Sequence, residues 1–233
     1  NLKVDENQVI QTLGDFGSTA GSPPYLGDGV SVTLAGTAVL ENGSVSGNLL
    51  KNIQDMGIRV VTDGLPGIQN LKVDHNQIEE VVNLHGILVD GPSSGVSANV
   101  SVSNNAVRDI AGVAGGAAGG DGINIDFADN MSSLKVCGNQ IDIPDANGIQ
   151  MALNDGRLIN VDGNSVTNSG GNDIIFDQRG STICVGVSIS NNTSRNSGGD
   201  AIFISVDEGM DVVSVNDNDI YNPTEDGITI LWS

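Results

Sequence analysis

Two short patterns of alternating apolar and polar residues recur along the whole sequence. The first reads Leu-Lys-Val-Asp-Glu-Asn-Gln-Val at residues 2–9 and appears again, almost unchanged, as Leu-Lys-Val-Asp-His-Asn-Gln-Ile at residues 71–78. The second is a small residue followed by Ile or Val, any residue and an apolar one, and it follows each copy of the first. Because side chains of a strand point alternately to its two faces, a period of two predicts that each pattern is a short β-strand.

An asparagine in the first pattern marks each repeat. These asparagines are Asn7, Asn48, Asn76, Asn105, Asn139, Asn164, Asn192 and Asn218. Such a repeat cannot bury its apolar residues alone, but stacked repeats can. We therefore predict one all-β domain over residues 1–233, a solenoid of about eight coils that rises roughly 4.8 Å per coil. We expect the asparagines to form an internal ladder with a structural role only, each in the left-handed backbone conformation that a sharp bend needs.

The second pattern adds two expectations about the turns. Its small residue is Gly in most coils but Asp173 and Ala201 in two, so the position is expected to need a small side chain more than a glycine backbone. One residue earlier, short acceptors such as Asp121, Asn147 and Asp200 recur, and these suit the capping of a turn.

The two ends of the sequence and the longer distances between successive patterns also predict features of the domain organisation. Loop insertions are expected at about residues 10–28 and 106–121, where the distance between patterns grows. Residues 2–9 and 227–232 already have strand patterns, whereas a solenoid needs polar caps. The expectation is a segment of a longer solenoid, or a protomer joined end to end with other copies.

The phrases Val-x-x-Asn-x-Ile and Gly-Ile-x-Ile resemble the repeat signature of the pectate-lyase-like family of right-handed, single-stranded parallel β-helices. The resemblance covers nearly all 233 residues and implies three strands per coil, with the asparagine between the second and third. This scaffold carries lyases, hydrolases, epimerases, tailspikes and bacterial surface proteins, so the resemblance is specific for fold and weak for function. In character the chain is closest to bacterial surface and secreted repeat proteins, which implies an extracellular or cell-surface location.

The charge and the distribution of apolar residues limit the classes of molecule that the protein is expected to bind. The net charge is −20, from 29 acidic and 9 basic residues, which argues against nucleic acid as a ligand because that needs a basic surface. No run of 18 apolar residues exists, so no membrane-inserted helix is expected. The remaining partners are polysaccharide and neighbouring copies of the same protein.

Candidate chemistry lies on the outer face of the strand that follows the small residue. Alternation turns Asp90 and Asp126 outward on adjacent coils, about 5 Å apart, with Asp177 two coils from Asp126. Paired carboxylates suit glycoside hydrolysis, and they also suit Ca²⁺. The candidate catalytic set is Asp90, Asp126, Asp177, Arg59 and His85; the candidate metal set is Asp90, Asp121 and Asp126; the candidate ligand-binding set is Asn124, Gln150 and Phe203.

The catalytic phrases of the related hydrolases and epimerases are missing, among them Asn-Thr-Asp and Gly-His-Gly. The first expectation is therefore a non-enzymatic extracellular or cell-surface β-helix that acts as a stalk, adhesin or assembly subunit and requires no cofactor. One alternative is a polysaccharide lyase or glycoside hydrolase acting on acidic polysaccharide, in which Ca²⁺ bridges protein and substrate. The other is a carbohydrate-binding module that stacks sugars on Phe203.

Overall fold

The structure is a computed structural model that describes residues 1–12, 27–36, 39–64, 67–92, 95–112, 120–180, 185–206 and 211–232. All regular secondary structure in these ranges is β-strand. In chain order the strands are β1 (Leu2–Asp5), β2 (Gln8–Ile10), β3 (Val30–Gly36), β4 (Leu40–Glu41), β5 (Gly43–Ser46), β6 (Leu49–Ile53), β7 (Ile58–Gly64), β8 (Ile68–Gln69), β9 (Lys72–Asp74), β10 (Gln77–Val81), β11 (Ile87–Asp90), β12 (Val96–Ser97), β13 (Val100–Ser103), β14 (Ala106–Ile110), β15 (Ile123–Met131), β16 (Leu134–Cys137), β17 (Gln140–Pro144), β18 (Ile149–Asp162), β19 (Ser165–Thr167), β20 (Ile174–Gln178), β21 (Val185–Ser190), β22 (Thr193–Arg195), β23 (Ile202–Val206), β24 (Val213–Asn216), β25 (Asp219–Tyr221) and β26 (Ile228–Trp232).

The strands form three parallel faces around one core, as a β-solenoid does. Face 1 holds the strands before the ladder asparagines: β1, β5, β9, β13, β16, the second half of β18, β21 and β24. Face 2 holds the strands after them: β2, β6, β10, β14, β17, β19, β22 and β25. Face 3 completes each turn with β3, β7, β11, β15, the first half of β18, β20, β23 and β26. The long strand β18 runs without a break from face 3 to face 1.

The core repeats from turn to turn because the register aligns like with like. Val102 pairs with Val73 and Val136 on face 1, and all three are fully buried. On face 3, Ile87 pairs with Ile58 and Ile123 in the same way. Each turn thus buries its inward Val and Ile side chains against those of its neighbours, which the sequence pattern predicted.

The asparagine ladder is saturated with hydrogen bonds. The Oδ1 atom of Asn139 accepts from the backbone N–H and from the side-chain Nδ2 of Asn105, both at 3.0 Å. Its own Nδ2 donates to Oδ1 of Asn164 and to the carbonyl of Val102, both at 2.9 Å. The side-chain bond recurs between every successive pair from Asn7 to Asn218. These amides can therefore be buried at little cost, because every donor and acceptor has a partner.

Burial separates the inner turns from the two at the ends. About six turns bury their ladder residue, with exposures of 0 to 2 % for Asn48, Asn76, Asn105, Asn139, Asn164 and Asn192. Asn7 is exposed and Asn218 is partly exposed. In the described residues, the inner turns have neighbours on both sides.

The bend beside the ladder is not made by the ladder asparagines, and that prediction was wrong. None of them has a positive φ; the residue before each one does, at +52° to +65°. These residues are Glu6, Gly47, His75, Asn104, Gly138, Gly163, Asn191 and Asp217. Because the chain bends one residue earlier, the asparagine side chain is left pointing into the stack, where it bonds the next turn.

The expectation that the second pattern caps its turn is confirmed, and close packing rather than backbone conformation determines its small residue. Gly86 has no positive φ, and a Cβ added there would lie 2.6 Å from the carbonyl oxygen of Gly122, so at this turn even a methyl group would require a shift. One position earlier, the Oδ1 atom of Asp121 accepts from the backbone N–H of Asn147, the equivalent residue of the next turn. Asp200 does the same for Asp226.

The expected insertions fall mostly outside the described residues, which omit 13–26 and 113–119. Residues 106–110, at the start of the second expected insertion, form strand β14 of face 2. Within the described ranges there is no helix of the length and apolar character needed to cross a membrane.

Candidate functional site

Two rows of outward side chains run along face 3, and the candidate residues lie on them. The first row consists of Ser31, Arg59, Leu88, Asn124, Gln150, Ile175, Phe203 and Thr229. The second row consists of Thr33, Val61, Asp90, Asp126, Ala152, Asp177, Ser205 and Leu231. Both rows have the register that the sequence predicted, so face 3 brings the candidate acids and amides onto one surface.

Asp90 and Asp126 lie directly opposite each other on β11 and β15. Burial and the negative charge of Asp126 raise the pKa of the Asp90 carboxyl to about 6, against the opposing effect of Arg59. Asp90 therefore keeps its proton to a higher pH than an ordinary aspartate does.

Arg179 was not among the predicted site residues, yet it organises the second row. Its Nε donates to Oδ2 of Asp177 at 2.8 Å, and its Nη1 donates to Oδ2 of Asp126 at 3.0 Å. It therefore spans the two turns between these acids and forms an ion pair with both. Alternation could have found it, because Arg179 lies two residues after Asp177 and so faces the same side.

His85 and Asp121 form a buried pair beside the first row. Nδ1 of His85 lies 3.2 Å from Oδ2 of Asp121, and their side chains are 13 % and 5 % exposed. Burial acts to raise the pKa of Asp121, but the nearby His85 and the hydrogen bonds from Asn124 and Asn147 outweigh it and lower that pKa. Asp121 is accordingly an ionised anchor for its neighbours.

That anchor fixes the two amides of the candidate ligand-binding set. Asn124 donates its Nδ2 to Asp121 at 2.7 Å. On the next turn, Gln150 accepts at its Oε1 from Nδ2 of Asn147 at 3.0 Å, and Asn147 also donates to Asp121. In the described part of the chain, Asn124 Oδ1 and Gln150 Nε2 are left without partners. Adjacent turns thus offer a fixed acceptor and a fixed donor side by side.

Apolar side chains continue the first row. Gln150 pairs with Ile175, and Ile175 pairs with Phe203, on β18, β20 and β23. Ile175 and Phe203 are both partly exposed. Face 3 therefore changes from polar to apolar within a few turns, as a surface that binds an amphipathic molecule does.

The candidate residues separate into two groups. Asp90, Asp126 and Asp177 share one row, whereas Asp121 and His85 belong to the turn that precedes face 3. Over the residues that the structure describes, no group of three or more His, Cys, Asp or Glu side chains is arranged to hold a metal ion. Calcium binding by Asp90, Asp121 and Asp126 stays a prediction.

A second charged row, on face 2, was not predicted. Register aligns Lys51, Glu79, Arg108 and Asp142 on four successive turns. Glu79 lies 2.7 Å from Nζ of Lys51 and 2.9 Å from Nη2 of Arg108. The hydrogen bonds from Lys51 and Gln77 lower the pKa of Glu79 to about 2. Acidic and basic side chains alternate along this row and neutralise each other. The row on face 2 therefore has a structural role, in contrast to the candidate site on face 3.

A scan against protein-family models gives no match for this sequence, and a search of curated proteins gives none either. The fold and the geometry of face 3 are therefore the basis for assigning a function.

Proposed function

We propose that the protein is an extracellular β-solenoid of the adhesin type, which binds polysaccharide along face 3. The observation that carries this proposal is the pair of fixed amide groups on adjacent turns, Asn124 Oδ1 and Gln150 Nε2. An acceptor next to a donor matches two neighbouring hydroxyl groups of a sugar, and side chains held in place before binding lose little entropy on binding. The extracellular location is part of the proposal and rests on the resemblance to pectate-lyase-like surface proteins.

The surroundings of these amides fit an extended sugar chain. Ile175 and Phe203 continue the same row and would cover the apolar side of a sugar ring. Asp126, Asp177 and Arg179 run alongside as further polar contacts. A net charge of −20 disfavours polyuronates, so neutral polysaccharides should bind without help and polyuronates only with Ca²⁺ as a bridge.

Affinity electrophoresis against a panel of neutral and acidic polysaccharides, with and without 1 mM CaCl₂, tests the proposal. Replacing both Asn124 and Gln150 by Ala should weaken retention by about tenfold or more, because the protein loses two hydrogen bonds to the sugar. The matched control is Gln140→Ala, an exposed amide on face 2, which should leave retention unchanged. Retention on no polysaccharide, or equal retention of the double variant, would overturn the proposal.

A second candidate function is glycoside hydrolysis, and the unequal environments of Asp90 and Asp126 favour it. Asp90, with a pKa raised to about 6, would protonate the leaving oxygen. Asp126, in an ion pair with Arg179, would act as the base or nucleophile. Two carboxyl groups in different environments are the usual acid and base of such enzymes.

Its test is the release of reducing ends from the polysaccharides that bind. Activity should fall as the pH rises through about 6, because Asp90 then loses the proton that it must donate. Asp90→Asn should abolish activity and leave retention intact, while Asp142→Asn on face 2 is the control. Retention without any product would assign face 3 to binding alone.

A further inference from the structure

Face 1 carries a row of lysines that the site on face 3 leaves unused. Register aligns Lys3, Ser44, Lys72, Ser101 and Lys135 on five successive turns. Three of the four lysines in the sequence therefore share one row, at every second turn. A chain with 29 acidic and 9 basic residues thus collects positive charge on one strip of its surface.

A depression lies between the last two of these lysines. Its volume is about 280 Å³, and it is lined by Asn70, Lys72, Asn99, Val100, Ser101, Ser133 and Lys135. Ser101 is on the strand between the two lysines, whose backbones are roughly 10 Å apart, two strand spacings. Asn99 donates to Asn70 at 2.9 Å, so the rim is held in place before anything binds.

Among the described residues, acids match the charge of these two lysines only in part. Lys3 and Lys72 each have an aspartate two residues on, Asp5 and Asp74, but Lys135 has Cys137 at that place. Asp74 contacts His75, with Oδ2 of Asp74 3.0 Å from Nδ1. Within the described residues, neither Lys72 nor Lys135 belongs to an ion pair.

The equivalent gap between Lys3 and Lys72 differs in one respect. There the intervening serine, Ser44, donates its hydroxyl to Oδ1 of Asp5 at 2.8 Å, so a carboxylate of the chain itself lies beside the serine. Between Lys72 and Lys135, the hydroxyl of Ser101 lies 3.3 Å from that of Ser103 instead. The second gap likewise has a serine between two lysines, but the described hydrogen bonds join Ser101 to Ser103 and not to Asp74, the carboxylate two residues after Lys72.

We propose that the depression between Lys72 and Lys135 binds an oxyanion, namely a sulfate, phosphate or carboxylate group. The two ammonium groups contact it from opposite sides, and the Ser101 hydroxyl donates to it from the floor. This site is on a different face from the saccharide surface and does not depend on it. The anion is either free in solution or carried by an anionic polysaccharide, and the two sources present the same chemistry to the lysines.

The net negative charge sets the conditions under which the site works. At physiological ionic strength the Debye length is about 8 Å, so repulsion from acids on the other faces is largely screened. Direct contacts with Lys72 and Lys135 are shorter than that length and persist. Binding should therefore be measurable near 0.15 M ionic strength and should weaken at much lower salt, where the remote acids act.

The test is a titration with sodium sulfate at constant ionic strength, followed by NMR of the lysine ε-methylene groups. Resonances of Lys72 and Lys135 should shift together and saturate at millimolar sulfate. Lys135→Gln and Lys72→Gln should each weaken binding by about fivefold, the upper range for an exposed ion pair. Lys3→Gln removes the same charge from the same row and should change it by less than twofold.

A parallel titration with a sulfated oligosaccharide identifies the source of the anion. Tighter binding than free sulfate, by about tenfold or more, would point to a polysaccharide, and equal binding would point to the free ion; both support the site. Shifts that grow linearly without saturation, or that are as large at Lys3 as at Lys135, would overturn it.

Discussion

Asp173 shows how one residue can break the repeat when its neighbours change with it. It stands where six other turns have glycine, and it is completely buried. At the equivalent Gly148, an added Cβ would lie 2.3 Å from Cγ1 of Val166. On the turn above Asp173, the register places Ser194 where Val166 would otherwise recur. The smaller serine makes room, and the hydroxyls of Ser169 and Ser194 donate to the two carboxylate oxygens.

The Asp173 carboxylate has hydroxyl partners but no cation, and this predicts how its replacement will depend on pH. Burial raises its pKa above the ordinary value, and the serine hydrogen bonds offset this only in part. The folded state therefore binds the proton more tightly than the unfolded state, and this group's stabilising contribution is lost as the pH rises through the folded pKa. Asp173→Asn removes the buried charge, so its melting temperature relative to the unmodified protein should be higher at pH 8 than at pH 4, by about 2–4 °C for each kcal/mol.

Thermal unfolding at the two pH values measures this difference. Asp142→Asn, on the surface of face 2, is the control and should show no such trend. A relative melting temperature of Asp173→Asn that is independent of pH, or higher at pH 4, would mean that the buried carboxyl does not titrate as argued.

At the scale of an element, each asparagine of the ladder shares hydrogen bonds with its neighbours. The contribution of an asparagine to the free energy of unfolding therefore depends on its position in the ladder. Replacing Asn139 by Ala removes its bonds to the backbone N–H of Asn105 and to the Val102 carbonyl, and one of the two bonds that Asn105 Nδ2 makes, the other being to the Val73 carbonyl. Each buried unpaired group costs about 1–3 kcal/mol, so we expect a loss of about 2–6 kcal/mol in the free energy of unfolding. Asn7→Ala, at the exposed first turn, should cost less than about 1 kcal/mol, since water can replace the lost bond.

Urea denaturation of the two variants gives the comparison. Both variants replace a ladder asparagine by alanine, so Asn7→Ala is the internal control for Asn139→Ala. Equal losses at both positions would show that the bonds along the stack do not determine its stability.

Register was predictable from sequence, because a period of two and a recurring asparagine fix which residues lie side by side. Thus the sequence alone predicts Asp90 opposite Asp126 and Gln150 beside Ile175, and both pairs are present in the sheet. The sequence did not show which residue bends the chain, since the left-handed position is occupied by Gly, Asn, Asp, Glu and His in different turns. It also did not show that Arg179 reaches back over two turns to Asp126, because a long side chain can cross rows that alternation keeps apart.

At the scale of the whole molecule, charge is distributed by face. Face 2 neutralises its central charges through Lys51, Glu79 and Arg108, and face 3 pairs Arg179 with two of its acids. Face 1 exposes lysines without ion pairs among the described residues. The surplus of acidic residues, 29 against 9 basic ones, gives the molecule a net negative charge that repels itself over longer distances. Ion pairs thus act between neighbouring side chains, whereas the repulsion among the surplus acids acts across the whole molecule.

This separation predicts that salt stabilises the protein. At 10 mM ionic strength the Debye length is about 30 Å, so acids throughout a 23.9 kDa molecule repel one another, whereas at 0.15 M it is about 8 Å. The exposed ion pairs that salt weakens contribute only about 0–1 kcal/mol each, and the pairs of Glu79 are partly protected because its carboxylate is buried although Lys51 and Arg108 are exposed. The melting temperature should therefore rise by several degrees between 10 mM and 0.15 M NaCl and level off beyond that. A melting temperature that falls with salt would mean that ion pairs such as that of Arg179 with Asp126 outweigh the repulsion of the surplus acids.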